Sequence, residues 1–238
     1  MWIGREILPR VSPLNNPCRL DQLIKIQNRI SKKMLICRCP QPELIAGIDV
    51  ANKEQILIAG IVILTYPQLE LIETTWAADK APLPYIPNFL AFREMPVILK
   101  AYHKLKHRPD LIFIDGQGIA HPRRCGIATH LGVILDKPVI GCAKSHLFGE
   151  FVMPGRKRGD WKFLLDDGQI IGVVLRTRDG VRPVFVSPGH RVDFLDCINY
   201  VLNTSRFRIP EPTRLAHIFA EKIKGVPYVQ KIKSSLSF

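Results

Sequence analysis

The chain has 238 residues, 47% hydrophobic and 23% charged, enough apolar material for a packed core, so global disorder is excluded. Its length fits one or two domains. Lys and Arg number 34 against 21 Asp and Glu, and the resulting +13 singles out a polyanionic partner. Nucleic acid comes first and an acidic membrane surface second.

No apolar run reaches the roughly 18 to 20 residues of a membrane span, and the longest, Ile56 to Tyr66, is short and β-branched. The N-terminus lacks the basic start, apolar middle and small-residue cleavage site of a secretory signal. Cys18, Cys37, Cys39, Cys125, Cys142 and Cys197 are scattered, without zinc-site or redox-pair spacing. Free thiols and a cytoplasmic protein with no membrane association are expected.

Leu23, Ile26, Ile30 and Met34 recur at helical spacing and predict an amphipathic helix over Arg19 to Leu35. Three β-rich runs follow, Leu44 to Val50, Ile56 to Tyr66 and Leu69 to Thr75, with breaks short enough for an antiparallel meander. Pro82, Pro84 and Pro87 make Trp76 to Asn88 an extended, stiff loop. Helical periodicity returns over Phe89 to Lys106, with Pro96 as an internal defect expected to kink or break it. Asp110 to Asp115 reads as a buried strand meeting a Gly116-Gln117-Gly118 loop. A helix over Arg124 to Leu135 and a short strand over Pro138 to Cys142 complete a parallel crossover. Strands are expected at Ile170 to Thr177 and Pro183 to Ser187, and helices at Asp193 to Leu202 and Glu211 to Lys224. One domain over 1–238 is expected, with 1–18 as an N-terminal extension and 225–238 as a tail whose Lys231 and Lys233 are solvated.

The chemistry sits at strand ends. Asp49 lies near the end of one apolar strand and Asp115 closes another, and an unpaired buried carboxylate is costly. Alone, each reads as a turn residue. Together they are like charges that a divalent cation would reconcile, with Glu94 as a third candidate on the helix before the Asp115 strand. Strand Asp, helix Glu, strand Asp suits an α/β fold with a ribonuclease-H-like mixed β-sheet flanked by helices. On it, Mg²⁺ held by hard oxygen donors would lower the pKa of an attacking water for phosphodiester hydrolysis.

Longer motifs sharpen the reading. Pro84-Tyr85-Ile86-Pro87, Phe89-Leu90-Ala91-Phe92-Arg93-Glu94, Asp115 to Arg123, Gly141-Cys142-Ala143-Lys144-Ser145, Val186 to His190 and Ile209 to His217 resemble the signature segments of endonuclease V, in order, from about Leu20 to Lys224. The resemblance implies an endonuclease directed at deaminated bases. It would cut the second phosphodiester 3′ to (deoxy)inosine, leaving 3′-hydroxyl and 5′-phosphate ends, as in DNA repair. It further implies Asp49, Glu94 and Asp115 as the carboxylates around Mg²⁺, with Mn²⁺ able to substitute. His217 would lie near the metal and Lys144 would contact the scissile phosphate. Pro84, Tyr85, Ile86 and Pro87 would form a wedge that fills the gap left by an extruded base, since an aromatic held between prolines loses little entropy on insertion. Leu90, Gly116, Ile127 and Gly141 match positions of a base pocket built largely from backbone, with His121 on its rim.

The chain departs from the pattern at Val50-Ala51-Asn52 after Asp49, at Asn88, where glycine commonly follows the wedge, and at His146, which replaces a common arginine. These bear on substrate preference rather than on the reaction. Inosine-containing DNA or RNA is the expected partner and a monomer the expected state. The rivals are another ribonuclease-H-like nuclease without inosine specificity and a non-catalytic nucleic-acid-binding protein.

Overall fold

The structure is a computed structural model that describes residues 18–225. The expected N-terminal extension and C-terminal tail, with Lys231 and Lys233, lie outside the described residues except at Cys18 and Gly225.

β1 (Leu44–Lys53), β2 (Ile56–Thr65) and β3 (Leu71–Lys80) form the expected antiparallel meander. β4 (Leu111–Ile114) joins the other side of β1 in parallel. β5 (Val139–Ala143) adds to β4 in parallel after the helix α3 (Ile127–Leu135), which is the predicted crossover. The sheet continues antiparallel through β9 (Val184–His190), β8 (Gln169–Leu175), β7 (Trp161–Asp166) and β6 (Glu150–Phe151). Among the described residues, nine strands run in the order β3-β2-β1-β4-β5-β9-β8-β7-β6.

Both sheet faces are covered, which is why β1, β2, β4 and β5 are near-continuous apolar runs. Ala46, Ile48, Ile112 and Ile114 point to a core shared with α2 (Leu90–Tyr102) and α3. Ile45, Val62, Leu111 and Phe113 point to the opposite core, which receives α4 (Phe194–Thr204) and α5 (Glu211–Lys224). The period-2 alternation of β1 and β4 therefore decides on which face Asp49 and Asp115 emerge.

Several boundaries move. The first helix, α1 (Cys18–Ser31), stops before Met34, and its buried stripe is Leu23, Gln27 and Ile30, with Ile26 only half-buried. β3 runs on to Lys80, beyond the predicted start of the stiff loop at Trp76, because Trp76 and Ala78 pack on Ile56, Ile58 and Ala220. The irregular loop is 81–89. α2 passes through Pro96 without a break, and α3 begins at Ile127 rather than Arg124. β6 and β7 were not anticipated. The signal for β7 is Asp167-Gly168, both at positive φ (47° and 75°), a two-residue hairpin turn between Asp166 and Gln169.

Cys37, Cys39, Cys125, Cys142 and Cys197 are free thiols, all but Cys37 buried. No helix among the described residues is long and apolar enough to cross a membrane.

Candidate active site

Asp49 and Asp115 are neighbours by register. The parallel ladder of β1 and β4 ends at Ile48 opposite Ile114, and the Asp115 N–H donates to the Ile48 carbonyl at 3.3 Å. One step further, Asp49, inside β1, which continues to Lys53 rather than ending at Val50, and Asp115, just past β4, both emerge on the face covered by α5. That helix packs flat because β1 and β2 present glycines to it. A Cβ on Gly47 would lie 1.9 Å from the Pro212 carbonyl oxygen, and one on Gly60 3.0 Å from Ala220 Cβ. The close seat brings His217, half-exposed, to Asp49, with Nδ1 2.8 Å from Oδ2.

Lys144 follows β5 and places its ammonium 2.5 Å from Asp115 Oδ2. Burial raises the Asp115 carboxyl, against the hydrogen bond and charge of Lys144. Burial also pulls the Lys144 ammonium down, but the hydrogen bond and charge of Asp115, joined by Asp49, outweigh it and the net shift is upward. Glu94 lines the same cavity from α2. Burial pushes its carboxyl up to about 8, Asp49 adding, Arg93 opposing and Asp115 adding again. Arg93 is no solvated neighbour: it is buried, and its guanidinium donates to the Leu83 carbonyl and reaches Gln55 Oε1 at 3.4 Å.

Three carboxylates line one cavity, where the charge of Asp49 adds to burial in raising both Glu94 and Asp115; such a set of hard oxygens, short of positive charge, fits a divalent cation in kind and in charge. As the side chains stand, Asp49 is turned to His217 and Asp115 to Lys144. Among the described residues no three His, Cys, Asp or Glu side chains converge tightly enough to hold a metal ion. Asp49, Glu94 and Asp115 are thus brought to one cavity but not drawn into a closed shell.

The cavity, about 380 Å³, is also lined by Tyr85, Leu90, Gly116, His121, Ile127 and Lys144. Tyr85 stands on its rim, 66% exposed, flanked by exposed Pro84 and Pro87 and half-buried Ile86. The loop is fastened at both ends. Leu83 is buried against Leu23 and Phe92, with Arg93 on its carbonyl, while Asn88 sits at φ 67°. The Asn88 carbonyl lies 3.0 Å from His121 Nε2 and accepts from Gln27 Nε2 at 2.8 Å and Arg123 Nη2 at 3.3 Å. His121 is buried rather than on an open rim. Its Nδ1 accepts from the Arg123 N–H at 3.1 Å, so its Nε2 carries the proton that meets Asn88, and burial drops its pKa to about 4 despite that bond.

Gly116, at φ 152°, is where a side chain would strike Ile127, only 2.5 Å from its would-be Cβ. Gly141 does not line the cavity. It lies under the 116–118 loop, whose backbone leaves no room for a Cβ, so its part is to seat that loop. Ser187 and Pro188 do the same from β9, Ser187 Oγ accepting from the Gly118 N–H at 2.8 Å and the Pro188 carbonyl from Ile119 at 2.9 Å. Pro84, Ile86, Pro87 and His217 are not among the cavity-lining residues, although each neighbours one that is or bonds to it. The sequence reading missed Gln27, Gln117 and Leu147. Gln27 had a visible signal, a polar residue in register with Leu23 and Ile30 on a buried helix face.

Three carboxylates and a lysine gathered at one cavity of a mixed sheet of this order are the equipment of a metal-dependent nuclease that hydrolyses phosphodiester bonds. The Endonuclease V family model matches residues 24–218. Endonuclease V of Petrotoga mobilis is 47% identical over 204 residues, spanning 85% of this chain and 92% of that protein. The crystal structure of Endonuclease V from Streptomyces avermitilis superposes with a TM-score of 0.82 at 36% identity, covering 86% of this chain and 92% of that one. Ciona intestinalis Endonuclease V, in complex with a 24-mer DNA containing an inosine followed by a ribo-adenosine, shares the fold with a TM-score of 0.77 at 22% identity over 87% and 98% of the two chains. The chain belongs to the endonuclease V family.

Proposed function

We propose that the chain cleaves nucleic acid at a deaminated base, cutting the second phosphodiester 3′ to (deoxy)inosine, with Mg²⁺ as its ion and Mn²⁺ able to replace it. The observation that carries this is the shared cavity, lined by Asp49, Glu94, Asp115 and Lys144 with Tyr85 at its rim. The DNA bound by the Ciona protein, which contains inosine, is consistent with that substrate. Asp49, Glu94 and Asp115 would hold the ion, which when bound neutralises phosphate charge and makes a water more acidic.

The chain's own side chains divide the remaining work. Lys144 is a point charge for a non-bridging phosphate oxygen, kept protonated by its raised pKa. His217 is oriented by Asp49, whose carboxylate engages Nδ1, leaving Nε2 as the ring nitrogen free to meet the substrate. Tyr85 fills the gap in the stack, and the extruded base enters between Leu90, Gly116 and Ile127, which line the cavity. The +13 charge draws the strand in from a distance. A cytoplasmic monomer of one domain, active in DNA repair, completes the reading, with RNA the alternative substrate.

A labelled strand containing one inosine and its guanine twin, each incubated with Mg²⁺, test the proposal. Cutting confined to the inosine strand supports it. Equal cutting makes the chain a nuclease without base preference, and binding without cutting makes it a binding protein.

A further inference from the structure

The carbonyl of Asn88 lies at the end of the wedge loop, one residue before Phe89 caps α2, and it is held by more than one side chain. Gln27 Nε2, Arg123 Nη2 and His121 Nε2 all converge on it. Gln27 and Arg123 are also joined to each other, Nε of the arginine donating to Oε1 of the amide at 2.5 Å. The arginine's guanidinium lies over the Phe89 ring, 4.7 Å from its centroid.

We infer that Gln27, acting with Arg123, is a positioning residue for base recognition: it locks the hinge at Asn88 and so holds Tyr85 ready for insertion. This rests on the reading of Tyr85 as the wedge. Three features of the molecule argue for it. First, Asn88 turns the chain at φ 67°, a left-handed conformation that asparagine tolerates and that three side-chain nitrogens hold in place here. Second, Gln27 is 1% exposed at a position where α1 could have placed another leucine, and its amide is used from both ends, Nε2 also donating to the Cys125 carbonyl at 3.3 Å. A buried amide is tolerated only when so satisfied, and what it satisfies here is the end of the wedge loop. Third, the other end of the loop is fixed by buried Leu83 and by Arg93. With both ends fastened, the segment left to move is Pro84 to Pro87, whose two prolines have fixed φ. Ordering is then completed before the nucleic acid arrives, and affinity gains by the entropy not lost on binding. Gln27 is the residue through which α1 lines the cavity, so the helix serves the site without contributing a charge to it.

The test is steady-state cleavage of an inosine strand by Gln27→Met, Tyr85→Ala and the double variant, with melting temperatures to confirm folding. Gln27→Met keeps the length and packing of the side chain and removes its hydrogen bonds. It should raise KM about 10-fold and leave kcat within about twofold, because an interaction spent on binding rather than on chemistry is lost. With Tyr85 already alanine, Gln27→Met should add nothing. Arg123→Lys, which leaves the helix untouched, should reproduce the KM-only pattern should the buried variant fail to fold. If Tyr85→Ala raises KM but Gln27→Met and Arg123→Lys do not, the lock is wrong and the wedge stands. An equal rise with and without Tyr85 also overturns the lock, since the amide would then act elsewhere. If Tyr85→Ala itself leaves KM unchanged, the wedge reading fails and the lock with it.

Discussion

Replacing Gly47 by alanine should displace the helix that carries His217. The added Cβ would sit 1.9 Å from the Pro212 carbonyl oxygen and 2.1 Å from its carbon, both backbone atoms of the first turn of α5. Restoring an ordinary contact of about 3.4 Å forces that turn to retreat by about 1.5 Å, an overpacking that costs about 1–3 kcal/mol. A rigid retreat of that size stretches the 2.8 Å contact between His217 and Asp49 beyond hydrogen-bonding range. Gly60→Ala is the internal control, because its Cβ would meet Ala220 Cβ at 3.0 Å and the Ala216 carbonyl at 3.1 Å, a mismatch of a few tenths of an ångström. Urea unfolding and single-turnover cleavage of an inosine strand, measured on both variants, give the answer. Gly47→Ala should lose about 1–3 kcal/mol and most of its cleavage, and Gly60→Ala under about 1 kcal/mol with cleavage largely kept. Equal losses in the two, or wild-type cleavage by Gly47→Ala, would refute the idea that these glycines set the height of α5.

Other outcomes follow from the same structure. Asp115→Asn should abolish cleavage while nucleic-acid binding, read by anisotropy, holds or tightens, because a charge repelling phosphate is gone; wild-type cleavage would remove Asp115 from the reaction. His130 is fully buried against Phe92, neither ring nitrogen has a partner, and burial drops its pKa from 6.5 to about 3. Its folded pKa lies below the unfolded one, so it contributes stability that is present above pH 6.5 and lost as pH falls towards 3. Between pH 6.5 and about 4.5 that loss is about 2–3 kcal/mol, and His130→Leu should flatten the slope by that amount; parallel unfolding curves for the two proteins would contradict it. Affinity for nucleic acid should fall linearly in log–log fashion with salt as counterions are released, and a flat response would make the +13 incidental.

The strand carboxylates could be read from the sequence because they break a rule: Asp115 closes an apolar run and Asp49 interrupts one, where an unpaired buried charge is costly. The meander and the parallel crossover followed from short breaks and from the strand–helix–strand order, and both formed. What could not be read is what depends on distant backbone. Gly141 looked like a pocket glycine, yet the close approach it permits is to the 116–118 loop above it. His121 was placed on the pocket rim, and only folding of the 81–89 loop against it buries the ring. β7 has no clean alternation, since Leu164 and Leu165 stand side by side, and only its Asp-Gly turn betrays it. Gln27 shows in sequence only as a polar residue on an apolar helix face; its role is hidden because its three partners come from residues 88, 123 and 125.

The pairing of β1 with β4 also acts as a ruler. Adjacent strands lie about 4.7–4.9 Å apart whatever side chains they carry, so the interval between the roots of Asp49 and Asp115 belongs to the peptide lattice and not to local packing. Evolution can lengthen either arm by a methylene, or swap its headgroup, without disturbing that interval. A slip of β4 by one residue would instead turn Asp115 to the far side of the sheet and end the partnership outright. The geometry is therefore tolerant of drift in the residues around it and intolerant of any change in strand register.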